Sequence, residues 1–216
     1  MKEIVLIGAS GFVGSAILNE ALERGHKVTA VVRHPEKITK VHKNLIVKPA
    51  DVSSVETVSE VCKNKEAVIS AYNPGWTNPN IYEDTLRIYP IILEGVKISG
   101  TKRLLITGGA GSLFISPGLR LMDSGALPES HLPGVKSLAS FFLETLSNEK
   151  YLDWVFFSPA GILEPGLRTA KFRLGKDNLI VNEKGESRIS VQDYALAMVD
   201  ELEKPAHHQE RFTIGY

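Results

Sequence analysis

A single cysteine stands among 216 residues. One thiol cannot close a disulfide within the chain, so the core must hold the fold, and a reducing compartment fits. That residue, Cys62, falls on a helical pattern with Val58 and Val61 and has no histidine near it in sequence. It reads as a packed side chain rather than a nucleophile. Excess charge is also missing: 25 lysines and arginines balance 25 acids. This removes bulk charge as a means of holding nucleic acid, though not a local anion site. No apolar run reaches the roughly 18 residues needed to cross a bilayer, and an extended pattern starting at residue 3 leaves no room for a leader. The expectation is a cytoplasmic protein with neither a nucleic-acid nor a membrane partner. Repeats, low-complexity tracts and interdomain linkers are absent. So is any His, Cys, Asp or Glu spacing of a metal site, and His207 and His208, beside Pro205, read as solvated.

What is present is apolar content of 43%, enough for one large α/β domain over residues 1–216 with at most a small lobe. The chain is organised around Gly8-Ala-Ser-Gly-Phe-Val-Gly14. An apolar run, Ile4-Val-Leu-Ile7, precedes it and reads as a buried parallel strand, and a helical pattern follows from Phe12 to Arg24. Strand, glycine turn and helix are the setting of a dinucleotide fingerprint. Gly8 allows the sharp turn, Gly11 leaves no side chain between backbone and diphosphate, and Gly14 lets helix and strand close up. The amides around Ser10, Phe12 and Val13, with the helix dipole, then face the anion.

The second strand, Lys27–Arg33, ends without the acid that selects a ribose 2′-hydroxyl. Arg33 stands there instead, and its fork of donors suits a 2′-phosphate, which favours NADP(H) over NAD(H). A third strand at Leu45–Val47 leads to Asp51-Val52, where the acid meets an adenine amino group or caps a turn. A helix over 55–63, capped by Ser53 or Ser54, precedes a fourth strand, Ala67–Ala71. Its end, Ser70-Ala71, is small enough for backbone to run along a ribose. The loop 72–80 leaves the carboxyl end of a central strand, where open α/β sheets bind ligands. Tyr72 and Trp76 either cover a flat substrate there or pack the loop down. A long helix over 81–99 ends at Gly100, and a fifth strand ends at Thr107-Gly108, whose bare backbone continues to Ser112 and suits a nicotinamide. Residues 113–133, with Phe114 near their start, read as irregular. A helix over 135–148 and a sixth strand over 153–157 follow, with Ser158-Pro159 placed to meet a carboxamide. Ser190-Val-Gln-Asp193 resembles a capping box, and Phe212–Ile214 an edge strand. The substrate side is assigned to residues 160–190 and the loops 72–80 and 110–133.

Together, Gly8-x-x-Gly11-x-x-Gly14, Arg33-His34-Pro35, Asp51-Val52 and Ser158-Pro159 resemble an atypical short-chain dehydrogenase/reductase. The closest likeness is to the small NAD(P)H-binding, NADH-flavin reductase-like branch, which the segment Arg188–Ala195 also resembles. The resemblance implies a Rossmann fold: a doubly wound parallel sheet, helices on both faces, and a small C-terminal substrate lobe. It places Lys136 at the position of the family's catalytic lysine. The usual tyrosine, four residues earlier, is Leu132, and the usual serine position is glycine, which leaves Ser112 as the nearest hydroxyl. Carbonyl reduction needs a proton donor, whereas flavin reduction asks mainly for aligned rings. The expectation is therefore an NAD(P)H-dependent reductase of a flat acceptor, FMN, FAD or a quinone, with Tyr72, Trp76 and Phe114 walling the substrate. Two other readings are a non-catalytic redox sensor resembling NmrA-like regulators, and an NAD-dependent epimerase or dehydratase. The sequence sets no oligomeric state.

Overall fold

Short runs rich in valine, isoleucine and leucine become buried strands. The computed structural model describes all 216 residues. Its strands are β1 (Glu3–Ile7), β2 (Lys27–Val32), β3 (Leu45–Pro49), β4 (Ala67–Ser70), β5 (Arg103–Thr107), β6 (Phe114–Ser116), β7 (Leu119–Arg120), β8 (Asp153–Ser158), β9 (Ile162–Glu164), β10 (Arg173–Gly175), β11 (Arg188–Ser190) and β12 (Glu210–Gly215). The helices are α1 (Phe12–Glu23), α2 (Val55–Cys62), α3 (Ile81–Ser99), α4 (Leu132–Ser140) and α5 (Val191–Glu203).

Eight strands share one sheet in the order β10-β12-β8-β5-β4-β1-β2-β3. All neighbours are parallel except β10 and β12. The chain moves outward from β1 to β3, then returns to lay β4 on the other side of β1. That reversal opens a crevice at the carboxyl ends of β1 and β4. Alternate residues sort to the two faces. Ile4, Leu6, Ile69, Val155 and Phe157 join a core with α1 and α5, while Val5, Ile7, Val68, Ile106 and Phe156 join a second with α2 and α3. Cys62 is fully buried in that second core, and burial pushes its thiol up to about 12.

Local signals decide the helix ends. Ser54 caps α2 by accepting from the Thr57 amide at 3.2 Å, and Gly100 ends α3 in the left-handed region at φ 79°. α4 begins three residues earlier than its apolar pattern suggests, because Pro133 sits in the first turn, where no N–H is needed. After Ser140 the same helix widens into a π-turn over Phe141–Thr145 and closes as a 3-10 turn.

Four expectations change. Residues 113–133 are ordered by the β6–β7 hairpin and 3-10 turns at Leu121–Asp123 and Glu129–His131. β12 is no edge strand, since β10 folds back antiparallel outside it. His207 is not solvated: it stacks on Phe212 with ring centroids 4.1 Å apart and meets Glu201 at 2.8 Å, and only His208 is exposed. Finally, the capping box is only half formed. Ser190 Oγ accepts from the Asp193 amide at 3.0 Å, but the Asp193 carboxylate turns to other donors. It accepts from the amides of Thr169 and Ala170, the Thr169 hydroxyl and the Tyr216 phenol. Fully buried, Asp193 thereby ties the lobe between β8 and α5 to the body. A second tie is ionic. Arg168 donates to both oxygens of Glu20 on α1, and Arg24 joins Glu20 to Asp200 and Glu203 on α5.

Candidate functional site

The turn after β1 is shaped by close approach. Gly8 adopts φ +77°, and a Cβ there would lie 2.5 Å from the Ala71 carbonyl oxygen; one on Gly14 would run into the Gly8 carbonyl. The Gly11 amide donates to Gly8 O at 3.0 Å, and the Ser15 amide to Gly11 O at 2.8 Å, which winds the turn into α1. Gly11 is the N-cap and offers no side chain to the helix end. The amides of Phe12, Val13 and Gly14 have no acceptor within the chain. Helix ends carry such orphan donors together with the positive end of the dipole, a combination that attracts anions. Ser10 and Gly11 are exposed beside them, and Phe12 is 49% exposed.

The other strand ends converge on this turn. Ala71 donates to Ile7 O at 2.9 Å, and Gly108 to Phe157 O at 2.8 Å. A Cβ on Gly108 would meet the Phe156 ring at 2.6 Å, so glycine alone fits beside Thr107. The Ser70 and Ser158 hydroxyls are buried with no hydrogen-bond partner, an unusual state for interior polar groups. They close β4 and β8, the strands on either side of β5. Pro159 is buried beyond Ser158, and Val52 is buried beyond β3. Asp51 is exposed and realises the turn-capping alternative, its Oδ1 accepting from the Ser53 amide at 3.0 Å.

Around Tyr72 lies a charged cluster of which only part was foreseen. Its ring packs edge-on against Tyr89 with centroids 5.6 Å apart, and Tyr89 Oη donates to Tyr72 O at 2.7 Å. Burial raises the Tyr72 phenol above its ordinary range, Arg33 and Arg87 pull it down, and Asp84 and Asp51 add to the rise. The phenol thus sits among groups at the ends of β2 and β3. Tyr72 is half-buried against Tyr89 at the start of the β4–α3 loop. Arg87 was missed: it pairs with Asp84 at 2.7 Å, one turn away on α3. The Asp84-x-x-Arg87 spacing was the available signal.

Trp76 realises the packing alternative with one edge only. It remains 54% exposed, yet one edge packs on α4 where a Gly134 Cβ would stand 3.0 Å from the ring. The His131 ring meets it edge to face, with centroids 5.2 Å apart at 76°. α4 is also fixed to the glycine stretch after β5: Val135 fills the space a side chain on Gly111 would need, and Leu138 lies 3.3 Å from a Cβ on Gly109. Lys136 projects from the same helix and is exposed. Ser112 needs correction as a catalytic hydroxyl. It is 1% exposed, and both its Oγ and its carbonyl accept from Nη1 of buried Arg211, at 2.8 and 3.0 Å. Phe114, expected on the substrate wall, opens β6. Its backbone pairs with Asp177 and Leu179 of the lobe, and Arg120 covers its ring at 5.2 Å. An open groove of about 720 Å³ between Arg173 and Glu186 includes none of the residues at the glycine turn.

The NAD(P)H-binding family model matches residues 8–205. Among curated proteins, YwnB of Bacillus subtilis, uncharacterised, is 40% identical over 98% of this chain and 97% of its own length. A Bacteroides thetaiotaomicron structure provisionally described as an epimerase is 64% identical, covers 100% of this chain and 97% of that one, and superposes with a TM-score of 0.95. A Streptococcus pneumoniae structure provisionally described as an NADH-flavin reductase is 34% identical over 100% and 99% of the two chains, with a TM-score of 0.82. No helix is long and apolar enough to cross a membrane. With a reversed parallel sheet, a glycine-lined helix start and relatives spanning its whole length, the chain belongs to the NAD(P)H-binding oxidoreductase family, among the atypical short-chain dehydrogenase/reductases.

Proposed function

We propose that the protein is an NADPH-dependent reductase of a flat conjugated acceptor, a flavin or a quinone. The observation that carries this reading is the start of α1, where orphan amides at Phe12, Val13 and Gly14 adjoin positions that admit no side chain. Those amides fit a diphosphate. Arg33, with Arg87 in the same electrostatic neighbourhood of Tyr72, fits a 2′-phosphate. Ser70, Ala71, Thr107 and Gly108 line the ribose and nicotinamide path, and the buried, partnerless hydroxyls of Ser70 and Ser158 close the two strands on either side of β5. When bound, reduced nicotinamide supplies a hydride; the protein's part is to hold, orient and shield. Lys136 stands over the nicotinamide ribose, and the exposed face of Trp76 offers a platform on which a planar acceptor stacks. With Leu132 in the tyrosine position, alignment does most of the catalytic work. The resemblance to the pneumococcal protein described as a flavin reductase supports the acceptor class.

Anaerobic mixing with NADPH and FMN tests this. The flavin absorbance bleaches, and calorimetry records tighter uptake of NADPH than of NADH. Nicotinamide uptake without turnover of FMN, riboflavin or simple quinones would instead support a sensor.

A further inference from the structure

Moving a hydride to a conjugated acceptor leaves a negative charge that a proton must meet, and Leu132 has none to give. Resting on the reductase reading, we propose that His131 is the proton donor of this site. The protein has six histidines. Four are held by carboxylates: His26 by Glu203, His34 by Glu36, His207 by Glu201 and His208 by Asp153. His42 accepts the Asn44 amide through Nδ1. Only His131 has both ring nitrogens free of protein partners, and its ring is set by edge-to-face contact with Trp76.

Its location is fixed by the same packing that builds the mouth. His131 is the N-cap of α4, adjacent to Leu132. α4 is held against Gly109 and Gly111 through Leu138 and Val135, and against Trp76 through Gly134. An acceptor stacked on the exposed Trp76 face therefore lies beside the imidazole. The competing hydroxyls are held elsewhere: Ser112 is enclosed with Arg211, and the Tyr72 ring packs edge-on against Tyr89. Other titratable groups on the surrounding elements are Glu129 in its own turn, Lys136 on its own helix, Asp123 on the turn packed against α4, and Tyr82, Glu83 and Asp84 in the first turn of α3.

The step balances. NADPH gives two electrons as a hydride to the acceptor and becomes NADP+. The imidazolium N–H bond breaks as an N–H or O–H bond forms on the acceptor, and neutral His131, open to solvent, takes its next proton from water. The His131→Gln variant tests it, since glutamine keeps a polar side chain of similar reach but has no proton to give as an acid. Wild-type turnover of FMN should fall as pH rises, because a general acid acts only while it holds its proton. The variant should lose roughly 100-fold or more at the acidic end and show no such limb, while its calorimetric affinity for NADPH stays at the wild-type value. Independently of turnover, the His131 imidazole NMR resonance should move when FMN is added to the NADP+ complex, while that of His42 stays still. A variant retaining the wild-type rate and pH limb, or a His131 signal indifferent to FMN, overturns the assignment. Failure of the reductase reading itself shows separately, in a wild-type protein that binds NADPH and reduces no acceptor.

Discussion

At the scale of single residues, the site depends on what glycine omits. Gly14→Ala places a methyl against the Gly8 carbonyl, backbone that cannot swing aside. Overpacking of this kind costs about 1–3 kcal/mol, and here it also pushes the orphan amides out of line. The expected outcome is a lower melting temperature with loss of NADPH binding, read by calorimetry and thermal denaturation of one sample. Arg33 makes the complementary prediction. A charge-assisted hydrogen bond contributes about 1.5–3 kcal/mol. Arg33→Ala should therefore weaken NADPH by about 10- to 100-fold and leave NADH nearly unchanged, as titration of both coenzymes will show. Equal losses for both would mean that Arg33 does not read the 2′-phosphate. The glycines were legible in the chain because they act through a local pattern, the spacing of the turn. His131 was not, because what matters about it is a neighbour distant in sequence, Trp76. Ser112 was misjudged for the same reason, since the arginine that encloses it arrives 99 residues later.

At the scale of elements, two anchors hold the lobe after β8 against the helices beneath it. Hydrogen bonding from Arg168 lowers the Glu20 carboxyl below its ordinary value of 4.5, with Arg24 assisting and burial opposing. A carboxyl depressed in the folded state stabilises fully above the unfolded value, and its contribution drains away as pH falls through the folded one. Glu20→Gln should therefore melt below wild type near neutrality, and the gap should close as pH drops under about 4.5. Thermal melts from pH 7 to pH 3 will measure it. The second anchor is Asp193, whose two oxygens serve four donors. Asp193→Asn misplaces at least one of them, and an unsatisfied buried group costs about 1–3 kcal/mol. Faster cleavage within residues 161–187 under limited proteolysis is the expected sign. Sequence reading saw a cap in Ser190-x-x-Asp193 and missed the lobe contact, because the cap is local and the Thr169 amide is 24 residues away. The start of α4 was missed for a different reason: a proline early in a pattern looks like a breaker until its place in the first turn is known.

At the scale of the molecule, order along the chain and order across the sheet differ in two places. The first, between β1 and β4, makes the crevice, and it followed from alternating strands and helices in sequence. The second is the placement of β12 inside β10. Nothing in Arg173-Leu-Gly175 has a period from which an outer strand is inferred, so only the structure reveals it. Phe212 stacks on Phe157 at 4.0 Å, and Phe157 in turn on Tyr194 at 4.3 Å. This aromatic pile joins β12, β8 and α5. During synthesis, then, the half of the protein built on β8 waits for residues 210–215 to clear the ribosome before it can shut, whereas the glycine turn and its first three strands are complete much sooner. Nascent chains stalled with that segment still inside the exit tunnel should expose β8 and α5 to protease while β1 to β3 resist. Equal resistance of both halves would show that the pile is dispensable for closure.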